Sequence, residues 1–431
     1  MFRYLLLFLS LFFMQKPIMA QSKTDKFLAD ILTRATNDSV NKVLQNPDTY
    51  RLQIIYTQIN RDKNNKPSFK NYYFNYNPDL YFNPASMVKM PLAFLSLEKL
   101  NTLREKGIDK YTPMAFDSSY AGQKPLYQDL TAANCLPSIA HFIKRAFLIS
   151  ENDPYNRMYQ FVGQQEINRN LWAKGYKDSR ITRQFMGFTA EGNRHTNAIR
   201  FLNPDGSTRY LQPAAYNSDT FDFSRKILVG KAHMDRNDKL VPGPFDFTEH
   251  NNLPLGDLQQ LLQSVMFPAS VPEKQQFHLI PDDYTFLYRY LSQFPSETPY
   301  PKYDTTLFYD SYVKFFFRNQ KHQIPPQVRV FNKVGWAYGF LTDVSYVADF
   351  ENKVEYMLAA TMYVNRDGVI NDSQYEYDTV GHPFFYNLGQ IIYNYELTRK
   401  RKFKPNLSAF QVPYEQRDPN DQRPALRDVD N

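Results

Sequence analysis

The chain has 431 residues, 16% of them aromatic, with a formal charge of +7 and a single cysteine, Cys135. That length suits one large domain or two ordinary ones, and the mild positive excess is concentrated in residues 399–404, "RKRKFK", where a solvated tail face is expected before a nucleic-acid site. A lone cysteine excludes an intramolecular disulfide and a thiolate zinc site, so packing alone must hold the core, and Cys135 is expected to be a buried structural residue.

In chain order, residues 1–20 have an early cation, Arg3, an apolar run from Tyr4 to Met14, and a small residue, Ala20, before Gln21. This is the layout of a secretory signal peptide, with a retained anchor as the alternative. The apolar run is shorter than the roughly 20 residues a bilayer requires. Export to the periplasm or the extracellular space is expected, with no membrane span after cleavage. Next, Phe27, Leu28, Ile31, Leu32, Val40, Val43 and Leu44 recur at helical spacing over residues 24–46. Residues 50–60 and 68–77 read as an antiparallel hairpin across the turn-prone "RDKNNKP". Residues 130–180 are mainly helical. Asp153 is suited to cap one helix, Pro154 to open it and Gly163 to end it.

Residues 190–250 change character, with a hairpin around Pro204-Asp205-Gly206 followed by short strands and turns. Helical spacing returns in residues 253–267 and 282–294, β pattern from 327, and an apolar helix in 382–400. Strands at both ends with helices between predict an α/β (α+β) fold. One antiparallel sheet is built from both chain ends and flanked by helices, with an inserted, mainly helical lobe. The expected organisation is a signal peptide at 1–20, a catalytic domain at 21–398 with a hairpin-rich insertion near 190–250, and a basic, then polar, tail at 399–431. Beyond Lys404 loose order is expected.

Chemistry centres on Ser-x-x-Lys spacing, which occurs at Ser39/Lys42, Ser86/Lys89, Ser96/Lys99 and Ser311/Lys314. For any single pair a solvated helix face is the default. Ser86/Lys89 has the best context. Asn83 can cap a helix, Pro84 suits its first turn, and Ser86 falls among the unpaired N–H groups of a helix start, where a developing anion is favoured. Residues three apart on a helix have Cβ atoms about 5–6 Å apart, so the amine can reach the hydroxyl. The apolar flanks Met87, Val88, Met90 and Leu92 would depress the lysine pKa. Pro91 should break the helix ladder to the carbonyl of Met87 beside the pair. Downstream come Ser150-Glu151-Asn152 before a helix and Lys333-Val334-Gly335 in a β run.

This ordered triple resembles the penicillin-recognising serine hydrolases, the class A β-lactamases and the penicillin-binding proteins, over most of residues 24–398. The resemblance implies Ser86 as the acylated nucleophile, Lys89 as its base, and Ser150 as proton carrier to the leaving nitrogen. Asn152 would hold the substrate's side-chain amide and orient Lys89. Lys333 would supply positive charge for a substrate carboxylate, and Gly335 belongs to the same motif. The N–H groups of Ser86 and Trp336 would form the oxyanion hole. No cofactor or metal is called for, and the expected partner is a small-molecule β-lactam or a peptidoglycan-like peptide. Two departures stand out. Val334 replaces the family's hydroxyl residue, and no Glu-x-x-Leu-Asn segment follows the second motif. Glu191 is the glutamate of that region, and Glu166 reads as a first-turn helix charge. His141, on an apolar helix, reads as a packed core residue. The leading expectation is an exported serine hydrolase acting through acyl-Ser86. A wall DD-peptidase-like or slowly deacylating enzyme is the alternative, and a non-catalytic binder of wall fragments the other.

Overall fold

The computed structural model describes residues 21–34, 38–185, 187–319 and 323–429; the expected signal peptide lies outside them. Two helices, α1 (Lys26–Arg34) and α2 (Asp38–Gln45), precede the hairpin β1 (Gln53–Arg61) and β2 (Pro67–Phe74). A 3₁₀ turn, Ala85–Val88, runs into α3 (Lys89–Asn101), and β3 (Met114–Asp117) leads to α4 (Ile139–Leu148), α5 (Asn152–Val162) and α6 (Gln164–Ala173). The segment that follows holds β4 (Ala198–Leu202), β5 (Thr208–Gln212), β6 (Leu228–Val229), β7 (Ala232–Met234), β8 (Leu240–Pro242) and β9 (Phe245–Asp246). Then come α7 (Leu255–Met266), α8 (Pro281–Ser292), β10 (Val328–Ala337), β11 (Phe340–Asp349), β12 (Val354–Tyr363), β13 (Val369–Ile370) and α9 (His382–Thr398).

The main sheet has five antiparallel strands in the order β10-β11-β12-β1-β2. It is built from both chain ends, as the sequence predicts: β1 adds to β12 with Tyr56 opposite Leu358. Strand alternation feeds two cores. On β12, Tyr356, Leu358, Ala360 and Met362 join the cluster of α1, α2 and α9, whereas Met357 and Ala359 join that of α7 and the helical lobe. Within the lobe, α3, α4 and α5 pack mutually. The hairpin-rich segment is fastened to the end of the sheet region, since β13 pairs in parallel with β7.

Four local expectations change. Helix α5 starts at Asn152, not after an Asp153 cap, and its preceding residue Glu151 makes no capping bond because its carboxylate is engaged elsewhere. Cys135 is exposed in a turn at φ 56°, not buried. The basic run is not uniformly solvated. Arg399 and Arg401 fold back on the fully buried Glu396, whose charge needs partners, and leave Lys400, Lys402 and Lys404 outside. The tail beyond Lys404 has one 3₁₀ turn, Ser408–Phe410, and is strapped down rather than loose. Phe410 is buried against Phe267, Phe331 and Tyr346. Glu415 accepts from Lys144 at 2.8 Å and from Gln293 and Thr298 at 2.7 Å each. Among the described residues no helix is long and apolar enough to cross a membrane.

Candidate active site

From Tyr81 to Leu97 every residue is buried except Ser86. Asn83 fixes the start of this stretch by accepting from the Ala85 N–H at 2.8 Å, and Ala85 takes φ 44°. Pro91 sits in the first turn of α3, so the break it imposes appears as a change from 3₁₀ to α winding between Val88 and Lys89. Edge strand β10 presses against this turn. A Cβ on Gly335 would lie 2.4 Å from the Pro84 carbonyl oxygen and 3.0 Å from the Met87 nitrogen, which accounts for the glycine of Lys-Val-Gly.

The three motifs converge. Lys89 Nζ lies 2.7 Å from Ser86 Oγ, 2.9 Å from Asn152 Oδ1 and 3.3 Å from Ser150 Oγ, and it also bonds the Ser150 carbonyl. Lys333 Nζ lies 2.7 Å from Ser150 Oγ. Ser86, Lys89, Ser150 and Lys333 thus form one continuous chain of hydroxyls and amines. Ser150 is held at φ 72° by the flanking Glu151, which accepts from Arg145 Nε at 2.9 Å and the Tyr303 hydroxyl at 2.5 Å. Positive φ at Ala85 and Ser150 is backbone strain of order 1–3 kcal/mol each, stored beside the two hydroxyls.

The other pairs separate cleanly. Ser96 bonds the Leu92 carbonyl and Lys99 pairs with Glu166. Lys314 is buried, but its amine bonds Asn332 and the Leu291 carbonyl, not the Ser311 hydroxyl, while Lys42 is exposed on α2.

Residues 36–215 match the model described as the Beta-lactamase enzyme family. Over that span the chain is similar to the β-lactamase enzyme family, serine hydrolases of the penicillin-recognising superfamily. Among solved structures it is similar to a β-lactamase from Xanthomonas campestris, at 11% identity and TM-score 0.47, covering 84% of this chain and 98% of that one. It is also similar to one from Sphaerobacter thermophilus, at 14% identity and TM-score 0.43, covering 82% and 95%. No curated protein matches the sequence.

The electrostatics of the hydrolase's cluster follow from burial. Lys89 is held well below the ordinary lysine range, first by desolvation and then by the charge of Lys333. Lys333 is likewise depressed, by burial and then by Lys314, which burial itself lowers to about 7. The carboxylate beside them, Asp343, is raised to about 6 by its own burial.

Ser86, Ser150, Asn152 and Trp336 line an open cavity of about 780 Å³. Lys89 and Lys333 lie behind its wall, and Gly335 beneath it. Val334 is fully buried in the opposite core, so a hydroxyl at that position would not face the cavity. His141 packs in α4, bonded to Thr131 at 2.7 Å, as its apolar helix predicts.

Among the described residues, no Asp or Glu lines this cavity. Glu166 is tied to Lys99 and Glu191 to His195, both away from it. In the segment where the family's glutamate is sought, Phe185 turns its ring to the cavity, 5.2 Å from Lys89 Nζ. Asn156 pins Phe185 by bonding its N–H at 2.8 Å and its carbonyl at 2.9 Å. Sequence reasoning missed this clamp, although Asn156 lies one helical turn after Asn152 and so shares its face. It also missed His250, Asn251 and Tyr338, which line the same cavity and for which no motif gives a signal.

Proposed function

We propose that this hydrolase opens a β-lactam or a related amide through an ester on Ser86, and that the acyl-enzyme is long-lived. The carrying observation is the Lys89 amine, buried, depressed in pKa and 2.7 Å from the Ser86 hydroxyl, beside a cavity that no carboxylate lines among the described residues.

In this reading neutral Lys89 takes the Ser86 proton as Oγ attacks the carbonyl carbon. A serine hydroxyl is a weak nucleophile without such a base. The N–H groups of Ser86 and of Trp336, on edge strand β10, receive the developing oxyanion. As the C–N bond breaks, Ser150 donates its proton to the leaving nitrogen and takes the Ser86 proton back from Lys89, 3.3 Å away, while Lys333 holds the Ser150 hydroxyl in place. Asn152 holds both the substrate amide and Lys89. Deacylation needs a water and a base, and a positioned base contributes about 10²–10⁴-fold. Phe185 stands against Lys89, and His250 is held near 3 by burial and Arg183, too weak a base for that task. Slow release follows.

A slowly turning over wall peptidase of the same chemistry is favoured by one observation. A second cavity of about 430 Å³ adjoins the first through Asn152 and Gly187, giving a longer substrate room to extend. The leader-like run from Tyr4 to Met14 supports export, where either substrate would be met. Incubation with a fluorescent penicillin tests the reaction. Covalent label on the native chain and none on Ser86→Ala is expected; equal labelling of both, or of neither, overturns it.

A further inference from the structure

Among the described residues, Arg183 is the only side chain of fixed charge that lines the cavity. It is partly buried, and its guanidinium makes no ion pair, hydrogen bond or ring contact among the described residues. Its charge is felt by Tyr81, Tyr338 and His250, none of which is anionic near neutral pH. Leaving a cation partly out of water without an acid beside it is costly unless something else supplies the negative charge. Other partly buried arginines meet their charge in one of two ways: Arg145, Arg61 and Arg329 pair with carboxylates, and Arg51, Arg180 and Arg194 donate to backbone carbonyls.

The backbone at this position is built to stay still. The Arg183 N–H donates to Asn251 Oδ1 at 3.0 Å, and its carbonyl accepts from the Tyr155 hydroxyl at 2.7 Å and Asn251 Nδ2 at 3.3 Å. Asn251 and Tyr155 are themselves buried. Two residues on, Phe185 is clamped by Asn156, so Tyr155 and Asn156 hold residues 183 and 185 against α5, the helix that begins with Asn152, and Arg183 and Asn152 line the same cavity. If Asn152 holds the acyl-side amide, as the proposed reaction has it, Arg183 stands on the acyl side of the scissile bond.

We propose that Arg183 is a specificity-determining anchor for a carboxylate on the acyl side chain of the substrate, so that the preferred acyl donors are anionic there. The proposal rests on the acyl-Ser86 reading for its orientation. A guanidinium can take a carboxylate in two parallel hydrogen bonds, with a geometry an amide cannot copy.

Two probes differing by one carboxylate on the acyl side chain, benzylpenicillin and carbenicillin, test it. Equilibrium affinity is measured on Ser86→Ala, which cannot be acylated, and acylation rate on the native chain. Carbenicillin is expected to bind and acylate about tenfold better, as one charge-assisted pair allows. Adding Arg183→Gln should bring the ratio to about 1, and Arg183→Lys should keep part of it. Circular dichroism checks that both variants fold. Acylation by both compounds without preference, or a preference that survives Arg183→Gln, overturns the anchor and leaves the reaction standing. Preferential binding without acylation of the native chain overturns the reaction and leaves the anchor. Neither binding nor acylation overturns both.

Discussion

Lys89 decides whether Ser86 is a nucleophile or an ordinary hydroxyl. An unperturbed lysine, at about 10.4, would be almost wholly protonated at pH 7 and useless as a base. Burial and the nearby Lys333 push Lys89 the other way, because both penalise its charged form. The acylation rate should therefore change little between pH 8 and 10 and fall on acidification as the amine protonates. A tenfold climb per pH unit up to about pH 10 would mean that the amine is not depressed. Lys89→Gln should lower the rate about 10²–10⁴-fold, with Ser86 still exposed to the cavity, as stopped-flow measurements would read. Each motif residue was legible in the sequence, but only the structure separates Ser86/Lys89 from the pairs at 96/99 and 311/314. Phe185 was not legible. Its position depends on Asn156 and on a wall completed by Asn251, and no periodicity in residues 178–190 carries that information.

At the level of elements, the site is the seam where the 3₁₀ turn of Ser86, the loop of Ser150 and edge strand β10 meet. The approach of β10 to the turn is close enough that Gly335→Ala must move one or the other, since the new methyl would meet the Pro84 carbonyl at 2.4 Å. Overpacking of this kind costs about 1–3 kcal/mol. The expected result is a lowered denaturation midpoint together with slowed acylation, because the backbone that moves carries Ser86. Unchanged acylation would show that the seam tolerates displacement. The strands and helices themselves were readable from hydrophobic spacing. The sheet's closure of β1 onto β12 followed from strands at both chain ends. The parallel pairing of β13 with β7 did not, because two-residue strands carry too short a pattern.

Across the whole molecule, the C-terminal segment ties the helical lobe to the catalytic wall. Its Glu415 takes bonds from Lys144 on α4 and from Gln293 and Thr298 after α8, and Leu426 pairs with Tyr303, whose hydroxyl holds Glu151 beside Ser150. Composition alone made this segment look loose. Its order comes from contacts with residues far away in sequence, from Phe410 on Tyr346 to Glu415 on Lys144, to which local polarity is blind. Glu415→Ala would leave the buried Lys144 ammonium unpaired, and a loss of about 3 kcal/mol is expected by urea denaturation. A loss below 1 kcal/mol would mean that the strap rests on the Phe410 packing instead.

Persistence of an acyl group on Ser86 is tested most directly by the intact mass of the native chain, followed over hours after a single equivalent of benzylpenicillin. The mass should rise by one whole penicillin, the adduct should map to Ser86, and it should decay slowly because no lining carboxylate activates water. Rapid return to the free mass with hydrolysed penicillin in solution, or an adduct on any other residue, would contradict the account.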